Sequence, residues 1–228
     1  MTGDPSCGVR VTVWAAVLRT GADVPRDTAG KRRMRAEARA WVRDRLAERL
    51  RVPPARLEWE RSRAGKPRLA GDRGLHVSYS HSGGAVVLAA CAGGPVGADV
   101  EHVVARPHLD ELAAGCLAPP ELAAWRSAAQ ERAADGFARL WTRKEAVLKA
   151  WGRGFPGSLA EVVTGPGGRS GEPAVLALPE ALGPAGLWTV RDLPAPDGYR
   201  AAVACRAPAA RVVVVPAEVI RRPGAARA

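Results

Sequence analysis

The strongest constraint on the fold is the order in which two hydrophobic periods follow one another. Val9 to Leu18 alternates in the period of two expected of a strand. From Lys31 to about Leu50 the period changes. Met34, Ala38, Trp41, Val42, Leu46 and Leu50 recur at helical spacing, and Pro53-Pro54 stops the run. Strand patterns return at Leu57 to Glu60, Leu75 to Tyr79 and Val96 to Val103, with Ser80-His81-Ser82-Gly83-Gly84 read as a polar turn. Ala85 to Ala92 suits either a buried strand or the first turns of a helix. Helical signals fill Leu109 to Arg132, broken at Pro119-Pro120, and Gly136 to Trp151, closed by Gly152. Five strand-like segments follow: Glu161 to Thr164, Ala174 to Leu178, Leu187 to Arg191, Tyr199 to Arg206 and Val212 to Val215. Strand, helix, strands, helices, strands is the order of an α+β fold with mainly antiparallel pairing, not of a doubly wound parallel sheet. Ala85–Ala92 also resembles Ala201–Ala207, a hint of internal duplication.

With 228 residues the chain can form one large domain or two small halves sharing a core. No apolar run reaches the length of a membrane span, and Met1-Thr2-Gly3-Asp4 does not read as the start of a secretory signal, so a cytoplasmic protein with no membrane partner is expected. Cys7, Cys91, Cys116 and Cys205 are scattered without metal-ligand spacing and are expected as reduced, mostly buried thiols. The formal net charge of +11 favours an anionic partner: a nucleic acid, an acidic protein or a phosphorylated small molecule. This charge reads as spread along the chain, its densest early run being Lys31-Arg32-Arg33-Met34-Arg35. A nucleic-acid binder has only the charge in its favour, with no zinc-finger spacing, aromatic RNA-binding motif or dimeric basic region.

Four segments can carry chemistry. In Gly97-Ala98-Asp99-Val100-Glu101 the strand alternation turns Asp99 and Glu101 the same way. Two such carboxylates repel unless a cation, a proton or a basic group lies between them, and oxygen-only ligands suit Mg²⁺; a solvated acidic pair at a strand end gives the same tripeptide. In the segment Phe137 to Trp151, Phe137, Leu140, Trp141, Leu148 and Trp151 form an apolar stripe that Glu145 borders, so Glu145 needs a metal or Lys149 as partner. Ser80-His81-Ser82-Gly83-Gly84 offers hydroxyls, an imidazole and glycine amides to a phosphate. No GxSxG elbow accompanies it, which disfavours a serine hydrolase. Gly65-Lys66-Pro67 lacks the P-loop spacing, yet a lysine held between Gly and Pro can reach a phosphate.

Taken in order, Gly65-Lys66-Pro67, Val77 to Ser82, Val96 to Glu101 and Leu140 to Lys149 resemble the 4′-phosphopantetheinyl transferases, specifically the longer type that activates peptide and polyketide synthases. The paired GxDxE and WxxKEAxxK signatures carry the resemblance. It implies two similar, pseudo-twofold-related α+β halves with coenzyme A between them, here 1–104 and 105–228. It implies that Asp99, Glu101 and Glu145 hold Mg²⁺ against the coenzyme A pyrophosphate, and that Lys66, Ser80, His81 and Lys149 contact phosphates. Arg39 is expected at the nucleotide 3′-phosphate, with Lys31, Arg32 and Arg35 near enough to compete. The expected reaction is transfer of phosphopantetheine to a serine of an acidic apo acyl or peptidyl carrier protein, releasing 3′,5′-ADP. Glu145, directly or through water, or else a metal-bound water, would activate that serine. A monomer completes such a site, and no nucleic acid takes part. A different Mg²⁺-dependent phosphotransferase, or a nucleotide-binding module, is the alternative that keeps the same residues.

Overall fold

The structure, a computed structural model, describes residues 8–18, 27–71, 74–154, 157–166 and 172–220; Cys7 lies outside them. Strand β1 (Arg10–Val17) leads to helix α1 (Thr28–Leu50). Asp27 caps the helix by accepting from the Gly30 amide, and Met34, Ala38, Trp41, Val42 and Leu46 form its buried face. The helix ends on Arg51, whose left-handed backbone (φ 54°) turns its amide onto the last carbonyls, ahead of the prolines expected to stop it. A short hairpin, β2 (Trp59–Arg61) and β3 (Pro67–Leu69), precedes β4 (His76–Ser82) and β5 (Ala85–Cys91). The polar segment read as a turn is therefore mostly strand, and only Gly83-Gly84 turns. Ala85–Cys91 takes the strand option, buried at every position.

The second part begins with β6 (Val96–His102). Helices α2 (Leu109–Cys116), α3 (Pro119–Ser127) and α4 (Ala133–Trp151) follow, then a hairpin of β7 (Val163–Pro166) and β8 (Pro173–Ala177), then β9 (Thr189–Leu193) and β10 (Tyr199–Cys205). Two short strands, β11 (Arg211–Val214) and β12 (Glu218–Val219), return to β1 and pair with it in parallel. The other pairings are antiparallel, as expected.

One sheet runs β11-β1-β5-β4 and the other β6-β10-β9. The order strand, helix, hairpin, strand, strand occurs twice, each time with the last strand in the middle of its three. The alanine-rich similarity between Ala85–Ala92 and Ala201–Ala207 falls on those two central strands, β5 and β10. Each is packed on both faces. Val87 and Ala89, with Ala201 and Val203, meet between the sheets; Val86 and Leu88 face α1, and Ala202 and Ala204 face α4. Four layers result: helix, sheet, sheet, helix. Small side chains suit a strand clamped on both faces.

Strand β6 is hydrogen-bonded to β10, so Asp99 and Glu101 sit in the sheet of the C-terminal elements. In pairing, β6 goes with the C-terminal strands, while β11 and β12 go with the first sheet.

Candidate active site

Gly97 fixes how the helix meets the strand. A Cβ there would lie 2.0 Å from the Ala146 carbonyl oxygen and 2.3 Å from the Ala150 amide nitrogen, so α4 rests directly on the backbone of β6. This contact brings Lys149 onto Asp99, whose carboxyl is only 2% exposed. Asp99 Oδ1 accepts from Lys149 Nζ at 2.5 Å and from Ser80 Oγ at 2.8 Å. Asp99 Oδ2 is buried and has no hydrogen-bond partner. Burial raises the Asp99 pKa despite the ammonium beside it. The expected helix pair of Glu145 with Lys149 gives way to this cross-element pair.

Glu101 Oε2 accepts from Ser82 Oγ at 2.9 Å, with the Arg106 guanidinium 4.0 Å away. Glu145 is half-buried and makes no hydrogen bond among the described residues. Both have raised pKa values, from burial first and then from the charge of Asp99. The three carboxylates thus lie in one another's field. Among the described residues no group of three His, Cys, Asp or Glu side chains is gathered into a ready metal cage.

Ser78, Ser80 and Ser82 occupy alternate positions of β4 and so share a face. Ser78 Oγ accepts from the Ala98 amide at 3.1 Å, and Ser82 Oγ accepts from the His102 amide at 3.1 Å. With Ser80 on Asp99, the three hydroxyls join β4 to β6 across the two sheets. Ser80, expected at a phosphate, is a rung of this ladder.

Beside the ladder opens a cleft of about 630 Å³, lined by Arg35, Arg39, Arg61, Lys66, His81 and Lys149 among others. Arg35 and Arg39, one helical turn apart, are exposed and form no ion pair among the described residues. Lys31 and Arg32 do not line the cleft. His81 lies under the charge of Arg35, Lys149 and Arg39, and burial with these cations lowers its pKa, favouring the neutral ring. Lys66 Nζ donates to Val96 O at 2.9 Å and to Ala150 O at 3.4 Å, and burial pushes its pKa down to about 8. The side chain expected at a phosphate thus pins the hairpin loop to the end of α4. Gly152, at φ +65°, leaves room for it.

The charge is not evenly spread. Residues 27–71, which include α1 and the β2–β3 hairpin, carry fourteen Lys and Arg against six Asp and Glu. Most of the net +11 therefore lies in this stretch, of which Arg35, Arg39, Arg61 and Lys66 line the cleft. Sequence reasoning missed Arg61 as part of the cleft, and the bonding of Ser78 and Ser82 to β6. The period of two in Ser78-Tyr79-Ser80-His81-Ser82 was the signal for the serines.

A basic cleft with buried carboxylates near it has the chemistry to receive an anionic ligand and a cation. The sequence model of the 4′-phosphopantetheinyl transferase superfamily matches residues 95–203. The 4′-phosphopantetheinyl transferase psf-1 of Bacillus pumilus is 31% identical over 169 residues, covering 74% of this chain and 69% of that one. The 4′-phosphopantetheinyl transferase HetI of Nostoc sp. is 34% identical over 128 residues, 54% of each chain. This chain belongs to the 4′-phosphopantetheinyl transferase superfamily. It spans about half the length of the first curated relatives it matches. Among solved structures, the holo-[acyl-carrier-protein] synthase of Thermotoga maritima overlaps 50% of this chain and 63% of its own, with 23% identity and a TM-score of 0.40.

Proposed function

We propose that this protein, as a transferase of the longer type with two similar halves, moves 4′-phosphopantetheine from coenzyme A to a serine of an apo acyl or peptidyl carrier protein and releases 3′,5′-ADP. The observation that carries the reading is that Asp99, Glu101 and Glu145 lie in one another's field near a cleft lined by Arg35, Arg39, Lys66, His81 and Lys149. The donor set suits Mg²⁺: all ligands are carboxylates, their charges oppose one another, and Asp99 Oδ2 is buried without a partner. Asp99, Glu101 and Glu145 would hold the ion, which when bound neutralises charge on the pyrophosphate.

The chain's own residues then divide the work. Arg35 and Arg39 bind the nucleotide phosphates, and His81 supplies a neutral ring to the same anion. Lys149, fixed by Asp99 and Ser80, holds its charge beside the reacting phosphate without needing to reorganise. The carrier serine oxygen bonds to the β-phosphorus while the bond from that phosphorus to the bridging oxygen breaks, and 3′,5′-ADP carries the bridging oxygen away. The hydroxyl proton passes to Glu145, directly or through a water. An acidic carrier would be steered by the charge around the cleft. Cys91, Cys116 and Cys205 are free, in keeping with a cytoplasmic setting. Among the described residues no helix is long and apolar enough to cross a membrane.

Incubation with coenzyme A, Mg²⁺ and an apo carrier, read by intact mass, tests the reading. One added phosphopantetheine is expected, at a rate that falls as ionic strength rises. An unmodified carrier would refute it.

Lys66 gives the cleft a pH dependence. It carries its proton below about pH 8 and loses it above, removing one positive charge from the wall. Coenzyme A affinity is therefore expected to fall between roughly pH 7 and 9, and Lys66→Arg, which stays charged, to flatten the fall. Calorimetric titration of both proteins decides, and equal slopes would remove Lys66 as the cause.

A further inference from the structure

The lysine that precedes Glu145 faces the other way. Lys144 is fully buried at 0% exposure, and its Nζ sits 2.6 Å from Glu121 Oε2, 2.5 Å from Val162 O and 3.1 Å from Leu159 O. Glu121 is as completely engaged. Its Oε2 also accepts from the Ala118 amide at 2.9 Å, and its Oε1 accepts from the Thr164 amide at 2.8 Å and faces Thr164 Oγ1 at 3.4 Å. One ammonium and one carboxylate thus tie α4 to α3 and to the entry of β7, with every oxygen and the ammonium satisfied.

Stability is a poor reason for such a pair. An apolar pair of similar volume commonly stabilises a fold as well or better, because both charges must be stripped of water. What the ion pair adds is direction, since a hydrogen-bonded ammonium fits only one arrangement of its acceptors. That matters on this helix. Where α4 meets β6, Gly97 presents no side chain to key the helix, and the polar tie there, Lys149 to Asp99, lies at the helix's last turn. The middle of the helix is held by further ties. Arg143 supplies one, to the same sheet, donating to Asp192 on β9 at 2.7 and 2.6 Å, but Asp192 is partly exposed and its pairing is screened. Lys144 supplies the unscreened one. Successive helix residues lie about 100° apart, so fixing Lys144 fixes the bearing of Glu145 beside it and of Lys149 beyond.

We infer that Lys144, through its buried pair with Glu121, is a positioning residue that sets the roll of α4 and so the placement of Glu145 and Lys149 in the cleft. The inference rests on the transfer reading given above for what Glu145 and Lys149 do, but its geometry can be tested apart from that reading.

Two variants serve. Lys144→Met with Glu121→Gln removes both charges and leaves no buried ion alone. Glu121→Gln by itself keeps an oxygen for the Thr164 amide, and decides the matter if the double variant does not fold. Thermal unfolding, amide hydrogen exchange along α4, and kcat and KM for coenzyme A are measured together, well below the unfolding transition. The expected result is about a 10- to 100-fold loss of kcat, the scale of a small misplacement of reacting groups, with KM changed far less and faster exchange confined to α4 and its contacts. Wild-type kcat and wild-type α4 exchange in a folded variant, whatever its melting temperature, would overturn the inference. If the wild-type protein transfers nothing, the transfer reading fails on its own, and the exchange pattern alone decides the role of Lys144.

Discussion

Gly97→Ala is expected to damage this protein more than any other single added methyl group. The new Cβ would meet the Ala146 carbonyl and the Ala150 amide well inside contact distance. Both are backbone atoms of a long helix, so neither can step aside by changing rotamer. The helix must back away from β6, opening the packing of Ala146, Val147 and Ala150 against the second sheet. Overpacking of a core ordinarily costs about 1–3 kcal/mol, and a backbone clash belongs at or above the top of that range. For a chain of this size about 3 kcal/mol corresponds to a fall in Tm of roughly 6–12 °C. Transfer should fall with it, because Lys149 reaches Asp99 only while α4 stays on the strand. Circular dichroism melting checks the expectation, with Gly115→Ala as control. A Cβ on Gly115 meets nothing within 4 Å and sits inside α2, so that change should be neutral or stabilising by up to about 1 kcal/mol. Equal melting of the Gly97 variant and wild type would show that the helix can yield.

Glu145→Gln should do the reverse, leaving the fold and removing the activity. The amide has the shape of the carboxylate, and Glu145 gives up no hydrogen bond among the described residues. The change also removes a negative charge that Asp99 and Glu101 oppose. Its melting temperature should therefore match or slightly exceed that of wild type. Transfer is expected to drop by about 10²–10⁴-fold, the usual contribution of a positioned general base, with the loss of a carboxylate for Mg²⁺ adding to it. Full activity in the folded variant would exclude Glu145 from both roles. A small loss in kcat, restored by raised Mg²⁺, would leave only the metal role.

These two positions also show how differently sequence signals translate. The long helices and most strands were legible because their periods are set by burial on one face: Met34, Ala38 and Trp41 could hardly belong to anything but a helix. The segment around Ser80 was misread because Ser, His and Gly are turn formers locally. In the fold, the serine hydroxyls are satisfied by β6, a partner that no local pattern can announce. The carboxylates were legible as a group, since alternation turns Asp99 and Glu101 together. The partner of Lys149 was not. Helical spacing offered Glu145, and a contact made fifty positions away in sequence took the ammonium instead. Lys144 and Glu145 are adjacent charged residues, and only packing tells that one is sealed in the core while the other borders the cleft. The charge around the cleft was hidden by counting over the whole chain.

The serine ladder has a mechanical meaning. Its rungs stand two residues apart along an extended strand, a spacing of about 6.6 Å. A slip of β4 along β6 by one residue would present Tyr79 and His81 where the hydroxyls now bond, and every rung would be lost together. The two sheets therefore cannot slide past each other by small degrees. The gap between them behaves as a fixed gauge, a caliper locked at its setting, with Asp99 and Glu101 held at one distance from β4.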